Sequence, residues 1–330
     1  STSFGTNAMA GVINLITFNP QDEKLFKFNY SLSSFNGNKI NTSINFPLND
    51  KLKSNLNIVR NQSDGYIKNQ FRPDQNSNKQ NEQLLKLKLL FTPNINSSHL
   101  LTYYNIKFDN LYDAWTIDNN GYSTMTDFVG EDKQKTNATS LKSIYNFNTF
   151  KLTSISTVSD NELDYNYDGD WGNNAMWESE PFNWDPATYY YNWDFPDITN
   201  RIRKNITQEL RFSLNNIVFG LFYSELEEKD DRSGYFFNGD YDYMTSEFNI
   251  DNSAIYAKYF HDLTKNLTID LSFRFDKYET TNDLYYLASY YGNFREDFLT
   301  IDDENLGWDF LLTNTLTKTN FLTFSISKGF

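Results

Sequence analysis

Apolar and polar residues alternate one by one along most of this chain. In LFKFNYSLSSF (residues 25–35), Phe26, Phe28, Tyr30 and Leu32 take one parity, and Lys27, Asn29, Ser31 and Ser33 take the other. A period of two belongs to an extended strand with one apolar face, whereas a helix repeats every ~3.6 residues. KINTSINF (39–46) repeats the pattern, setting Ile40, Thr42, Ile44 and Phe46 against Asn41, Ser43 and Asn45. Leu85, Leu87, Leu89 and Phe91 flank Lys86 and Lys88 in the same way. Leu267, Ile269, Leu271, Phe273 and Phe275 alternate with Thr268, Asp270, Ser272, Arg274 and Asp276. About thirteen such strands are predicted, many near the ~9–11 residues that cross a bilayer at a tilt. No helix is expected, so the fold class is all-β.

Alternation alone does not separate a soluble sandwich from a membrane barrel, because both have one apolar face. The connections discriminate better. Short turns are expected at PLNDK (47–51), TPNINSS (92–98), NFNT (146–149), Asn215 with Asn216, DLTKN (262–266) and TKT (317–319). Long connections are expected between them, at 61–82, 110–136, 160–203, 227–252 and 279–304. The first hairpin, at 35–39, breaks this alternation. Soluble β-domains rarely carry several structureless loops beyond ~15 residues. A transmembrane antiparallel up-and-down β-barrel has this arrangement, with tight turns on one rim and long loops on the other. Phe35, Phe46, Phe91, Phe108 and Tyr223, at strand ends, are expected in the interfacial aromatic girdle.

Composition narrows the function. The mean hydropathy is −0.64, and no apolar run approaches the ~18 residues of a spanning helix. Neither fact bears on a barrel, whose strands are half polar. A net charge of −14 over 330 residues excludes a nucleic-acid footprint. With no cysteine there is no disulfide or thiolate metal site, and His99 and His261 are too few for a triad or a metal centre. No glycine-rich phosphate loop is present. Transport or binding, not catalysis, is the expectation.

One stretch is unusual. Residues 160–200 hold ten acids, no Lys or Arg, and four of the six tryptophans: Trp171, Trp177, Trp184 and Trp193. Three readings stay open. Trp171, Trp177, Trp184, Tyr190 and Trp193 could stack on a ligand whose polar groups meet Asp164, Asp168 and Asp170. Asp164, Asn166 and Asp168, followed by Gly169, match the start of a calcium loop, although its twelfth position is Ala175 where a glutamate is expected. Or the aromatics pack the loop onto itself.

The opening SFGTNAMAGVINLIT (3–17) resembles the end of the plug domain in TonB-dependent outer-membrane receptors. There a G-x-x-A-x-x-G-x-I-N-x-x-T pattern precedes the first barrel strand, and Gly5, Ala8, Gly11, Ile13, Asn14 and Thr17 match it. VINLIT is then expected to be a short buried strand. DGYIKN (64–69) and NSAIYAKYFHDLTKNLTIDLSFRFDKYE (252–279) are similar to barrel segments of that family. The resemblance implies residues 1–20 as the C-terminal end of a plug and 21–330 as part of a barrel, about 13 of about 22 strands. Such a segment expressed alone is expected to aggregate through its unpaired edges. The implied function is energy-coupled import across the Gram-negative cell outer membrane, driven by the TonB–ExbB–ExbD complex acting through the N-terminal region. The implied ligand is a ferric siderophore or similar iron complex, with no cofactor required. A glycan, cobalamin or haem ligand, a passive porin, and a secreted carbohydrate-binding β-protein are the alternatives. The plug-like segment disfavours the porin, and the loop pattern disfavours the secreted protein.

Overall fold

The computed structural model describes residues 15–113, 118–190, 192–236, 240–288 and 293–329. In chain order the first elements are β1 (Leu25–Ser33), β2 (Gly37–Asn49), β3 (Leu52–Ser63), β4 (Lys68–Asn69), β5 (Gln80–Asn94), β6 (Ser97–Leu111), β7 (Ser123–Thr124), β8 (Glu131–Asn146) and β9 (Lys151–Asp168). Two short helices follow, α1 (Asn174–Glu178) and α2 (Pro186–Tyr189). The chain continues as β10 (Pro196–Leu214), β11 (Ile217–Phe236), β12 (Asp240–Asp262), β13 (Leu267–Ala288), β14 (Asn293–Thr315) and β15 (Phe321–Lys328). Thirteen of these strands form one antiparallel meander in sequence order, and β4 pairs separately with β7.

The two faces follow from parity. Residues 17–23 run along one face, which we call inner, close to the rim of short turns. There Lys88 Nζ donates to the carbonyls of Thr17 and Phe18 at 3.0 and 3.1 Å and to Asn19 Oδ1 at 3.1 Å. Asn45 exchanges 3.0 Å bonds with the backbone N–H and carbonyl of Gln21 and donates to the Glu23 carbonyl. Lys53 pairs with Asp22 at 2.5 Å. Asn45, Asn55 and Lys88 are cross-strand neighbours. Their inner row continues to Thr207, Ser224, Asn252 and Asp303, all polar.

The opposite parity is apolar and exposed. On β13, Ile269, Leu271, Phe273 and Phe275 point outward over about 20 Å of strand, close to the height of a barrel's lipid-facing band. Beyond Phe275 the same face turns to Lys277 and Glu279; beyond Tyr223 on β11 it turns to Glu225 and Glu227. One outward row begins Ile44–Leu56–Leu87 and ends Glu225–Asp251–Glu279–Asp302. A level apolar band that crosses its own register rows means strands tilted to the band, as closure into a barrel demands.

Some expectations need correction. The connection expected at 160–203 shrinks to 169–195 and contains α1 and α2, the two helices that no periodicity announced. Those expected at 227–252 and 279–304 are almost entirely strand, because β11–β12 and β13–β14 continue as paired hairpins past the apolar band. Phe108, expected in the girdle, pairs across from Glu82 on the inner parity. Gly5, Ala8, Gly11 and Asn14 lie outside the described residues. Of VINLIT, the described residues Leu15, Ile16 and Thr17 are not strand, and Leu15 and Ile16 are exposed, contrary to the short buried strand expected there.

Candidate functional site

On the rim opposite the short turns, three connections fold into one cap. Its middle is residues 112–130. β4 and β7 form a short parallel ladder that joins this connection to 64–79. Asn69 Nδ2 donates to the carbonyl and hydroxyl of Thr126 at 2.8 and 2.9 Å. Arg72 donates to the carbonyls of Thr126 and Phe128 at 3.2 and 2.8 Å. Buried Asp113 accepts from the hydroxyls of Thr124 and Thr126 at 3.0 and 2.9 Å. Burial pushes the Asp113 carboxyl above the ordinary range, against the pull of those hydroxyls.

The third connection, 169–195, is tied on by two buried carboxylates. Asp168 Oδ2 accepts from the backbone N–H groups of Asp127 and Phe128 at 3.2 Å. Its Oδ1 accepts from those of Asp170 and Trp171 at 3.1 and 3.0 Å. The second pair holds Trp171 at φ 64°, a left-handed conformation costly for a bulky residue. Asp170 accepts from Gly172 N–H at 2.9 Å, from Trp177 Nε1 at 3.0 Å and from Phe195 N–H at 3.0 Å. Burial, then the neighbouring Asp170 charge, lifts Asp168 to about 8, and burial raises Asp170. The amide donors work in the opposite sense. Asp127, pushed up to about 6 by burial and by Asp170 and Asp194, completes an acid-rich joint.

Three of the four tryptophans, Trp177, Trp184 and Trp193, turn toward one another. Ring centroids of Trp177 and Trp193 are 5.2 Å apart, those of Trp184 and Trp193 4.7 Å, and Trp184 stacks on Tyr189 at 4.1 Å. Trp177 also meets Phe182 at 4.6 Å, and Trp193 meets Phe195 at 4.8 Å. Asn173 caps α1 and Asp185 caps α2, so the loop supplies its own polar satisfaction. Of the residues singled out in this stretch, Tyr190 has its side chain almost wholly in solvent, at 87% exposure.

Asp164, Asn166 and Asp168 lie on β9 with one parity, spaced along an extended strand instead of curling around a centre. Asp168 is already filled by amide donors, and no cluster of three or more His, Asp or Glu among the described residues could hold a metal ion. His99 bonds Ser143 and packs against Tyr145, and His261 stacks on Tyr259.

Pattern reading missed the inner wall of β10–β14. Arg274, 5% exposed, makes a bidentate pair with fully buried Asp276 at 2.7 Å. Its guanidinium lies 5.5 Å from the Phe222 ring centroid and 5.7 Å from that of Tyr256. Tyr256 in turn bonds Glu209 and Arg211. Its ring lies across Gly220, where a Cβ would come within 2.0 Å of it. Toward the loop rim, Arg201 pairs bidentately with Asp230 at 2.6 Å and Arg203 with Glu228. The inward parity of charged, hydroxyl and amide residues on β10 and β13, from Arg201 to Ser213 and from Thr268 to Thr280, was the available signal.

No family model and no curated protein matches the chain. Solved structures do. The ferric yersiniabactin uptake receptor of Yersinia pestis superposes with a TM-score of 0.79 at 15% identity, over 93% of this chain and 47% of that one. The open form of the ferric-catecholate import receptor of E. coli K12 gives 0.68 at 12%, over 94% and 55%. The alcaligin outer-membrane receptor of Bordetella pertussis gives 0.58 at 12%, over 93% and 44%. The chain thus has the barrel fold of these receptors and spans about half their length.

Proposed function

We propose that the chain is part of a TonB-dependent receptor of a Gram-negative outer membrane, importing a ferric siderophore or similar iron complex. Residues 1–20 are the end of its plug and 21–330 part of its barrel. The observation that carries this reading is the approach of residues 17–23 to β1. The chain comes up along the inner wall at the short-turn rim, bound there by Lys88, Asn45 and Lys53, as a domain inside a barrel must when it hands over to the first strand. The barrel fold shared with iron-complex receptors supports the ligand class. The apolar outer band faces lipid, and the cap faces outward to meet the ligand, with Tyr190 presented to it. No bond is made or broken in this function. The TonB–ExbB–ExbD complex supplies the energy, acting through the plug.

The test uses the full-length protein in a Gram-negative host stripped of its own iron receptors. Membrane fractionation is expected to place it in the outer membrane. Uptake of 55Fe supplied as a panel of ferric catecholates, hydroxamates and citrate is expected for at least one complex and lost on deletion of tonB. Recovery in the periplasm or medium, or outer-membrane insertion with no uptake of any iron complex, overturns the reading.

A further inference from the structure

Inside the cap, Arg72 and Asp113 each leave one polar atom unused. Arg72 Nε and Nη2 donate to the carbonyls of Thr126 and Phe128, and two such bonds fix the plane of a guanidinium. The third nitrogen, Nη1, is thereby held in one direction. It is shut off from solvent and has no partner among the described residues. Asp113 is 9% exposed, and its Oδ2 accepts from the hydroxyls of Thr124 and Thr126. Its Oδ1 is likewise shut off and unpartnered among the described residues. Neither atom can turn away without breaking the bonds that hold the rest of its side chain.

Both residues line one cavity of about 10 Å³, walled also by Gln75, Tyr112, Val129 and Gly130. About 10–15 Å³ is the least space that admits one water, so nothing larger fits. The chemistry of the lining narrows the occupant further. It must accept a hydrogen bond from Arg72 Nη1 and donate one to Asp113 Oδ1. A cation is repelled by the guanidinium and an anion by the carboxylate, and an apolar atom leaves both groups unmade. The Arg72 charge also pulls on the Asp113 carboxyl less than the neighbouring hydroxyls do, which fits a guanidinium standing one molecule away.

We propose that a single structural water occupies this cavity, accepting from Arg72 Nη1 and donating to Asp113 Oδ1. It closes a hydrogen-bonded ring, Arg72–Thr126–Asp113–water, across the joint between connections 64–79 and 112–130. The test is a crystal structure of the full-length protein at a resolution that shows ordered waters. One oxygen is expected within about 3.2 Å of both Arg72 Nη1 and Asp113 Oδ1. A cavity without density, a direct Arg72–Asp113 pair, or an anomalous signal that marks an ion overturns the proposal. Two variants then test the bridge. In Asp113→Asn the side-chain oxygen stays on the two hydroxyls and the amide nitrogen faces the cavity, so the water accepts from both sides and its density is expected to remain. Arg72→Met removes one of the two partners, and the density is expected to be lost. Density that survives in Arg72→Met, or that Asp113→Asn abolishes, overturns the bridge. If Arg72→Met does not fold, the wild-type and Asp113→Asn maps decide.

Discussion

Asp168 is the joint on which the cap depends, so Asp168→Ala tests how the three connections are held. The side chain is 1% exposed and serves four backbone N–H groups, two from residues 127 and 128 and two from residues 170 and 171. Truncation strands three of these donors; the N–H of Asp127 keeps the Gly172 carbonyl at 2.9 Å. At about 1 kcal/mol each, the low end for a buried unsatisfied group, the loss is about 3 kcal/mol. Water entering the gap and relief of the Asp168–Asp170 repulsion return part of it. A net of about 2 kcal/mol raises the cap's opening equilibrium roughly thirtyfold.

The readout is amide hydrogen exchange of full-length protein in detergent, followed at residues 127, 128, 170 and 171. The β8–β9 pairs from Asn146–Lys151 to Thr139–Val158, remote from Asp168, serve as the internal control. The measurement is made at pH 9, above the value of about 8 that burial and Asp170 impose on Asp168, so that all four bonds are to a carboxylate. The four amides are expected to accelerate about thirtyfold, or to the unprotected rate if the cap is intrinsically weaker, while the control strand pairs are unchanged. Acceleration below threefold at those amides would refute the assignment of Asp168 as the joint.

Asp127 makes the cap sensitive to acid. Its folded-state value of about 6 stands above the ordinary 3.8, so the folded cap holds this proton more tightly than the open chain. Its contribution to stability is then greatest below the ordinary value, falls as pH rises through about 6, and is constant above. Discounted for partial solvent screening, the change is on the order of 1 kcal/mol. Cap amides, corrected for intrinsic rates, are expected to lose protection between pH 5 and pH 7.5 more steeply in the wild type than in Asp127→Asn, whose remaining slope comes from Asp168 and Asp170; an equal slope in both defeats the assignment. On the outer face, Glu225, Asp251, Glu279 and Asp302 stand directly opposite one another on four adjacent strands. Like charges in that relation repel, so Asp251→Asn, which keeps an acceptor for Tyr223, is expected to raise the thermal midpoint at low salt by an amount worth about 0.5 kcal/mol. A gain that persists undiminished at high salt would point away from charge repulsion. Lys88→Met keeps the apolar stem and removes three bonds to residues 17–19. Faster amide exchange and protease cleavage within residues 15–24 are expected, and unaltered protection there would remove Lys88 from the anchoring role.

The wall was legible because its signal is local. Wherever one face is apolar, as at Phe273 and Phe275 or Leu87 and Leu89, parity alone assigns each side chain to a face, and thirteen strands can be counted from it. The signal fails where both faces meet water. Glu225, Glu227, Lys229 and Asp231 alternate with Leu226, Glu228 and Asp230 above the band, and the run reads as a polar loop. It is strand because a backbone ladder needs no apolar face, and because pairs such as Arg201–Asp230 and Lys229–Glu247 match charges across it. The cap was not legible for a different reason: Asn69 finds Thr126 57 residues on, and Asp168 finds Asp127 41 residues back. D-x-N-x-D-G, taken alone, suits an ion as well as it suits amides. β9 keeps Asp164 and Asn166 extended and delivers Asp168 to the joint, where its carboxylate meets the amides of the middle connection. The same distance hides Arg72 from Asp113. Each is visible in sequence as a lone charge, while the cavity they share is built by connections too far apart to be read together.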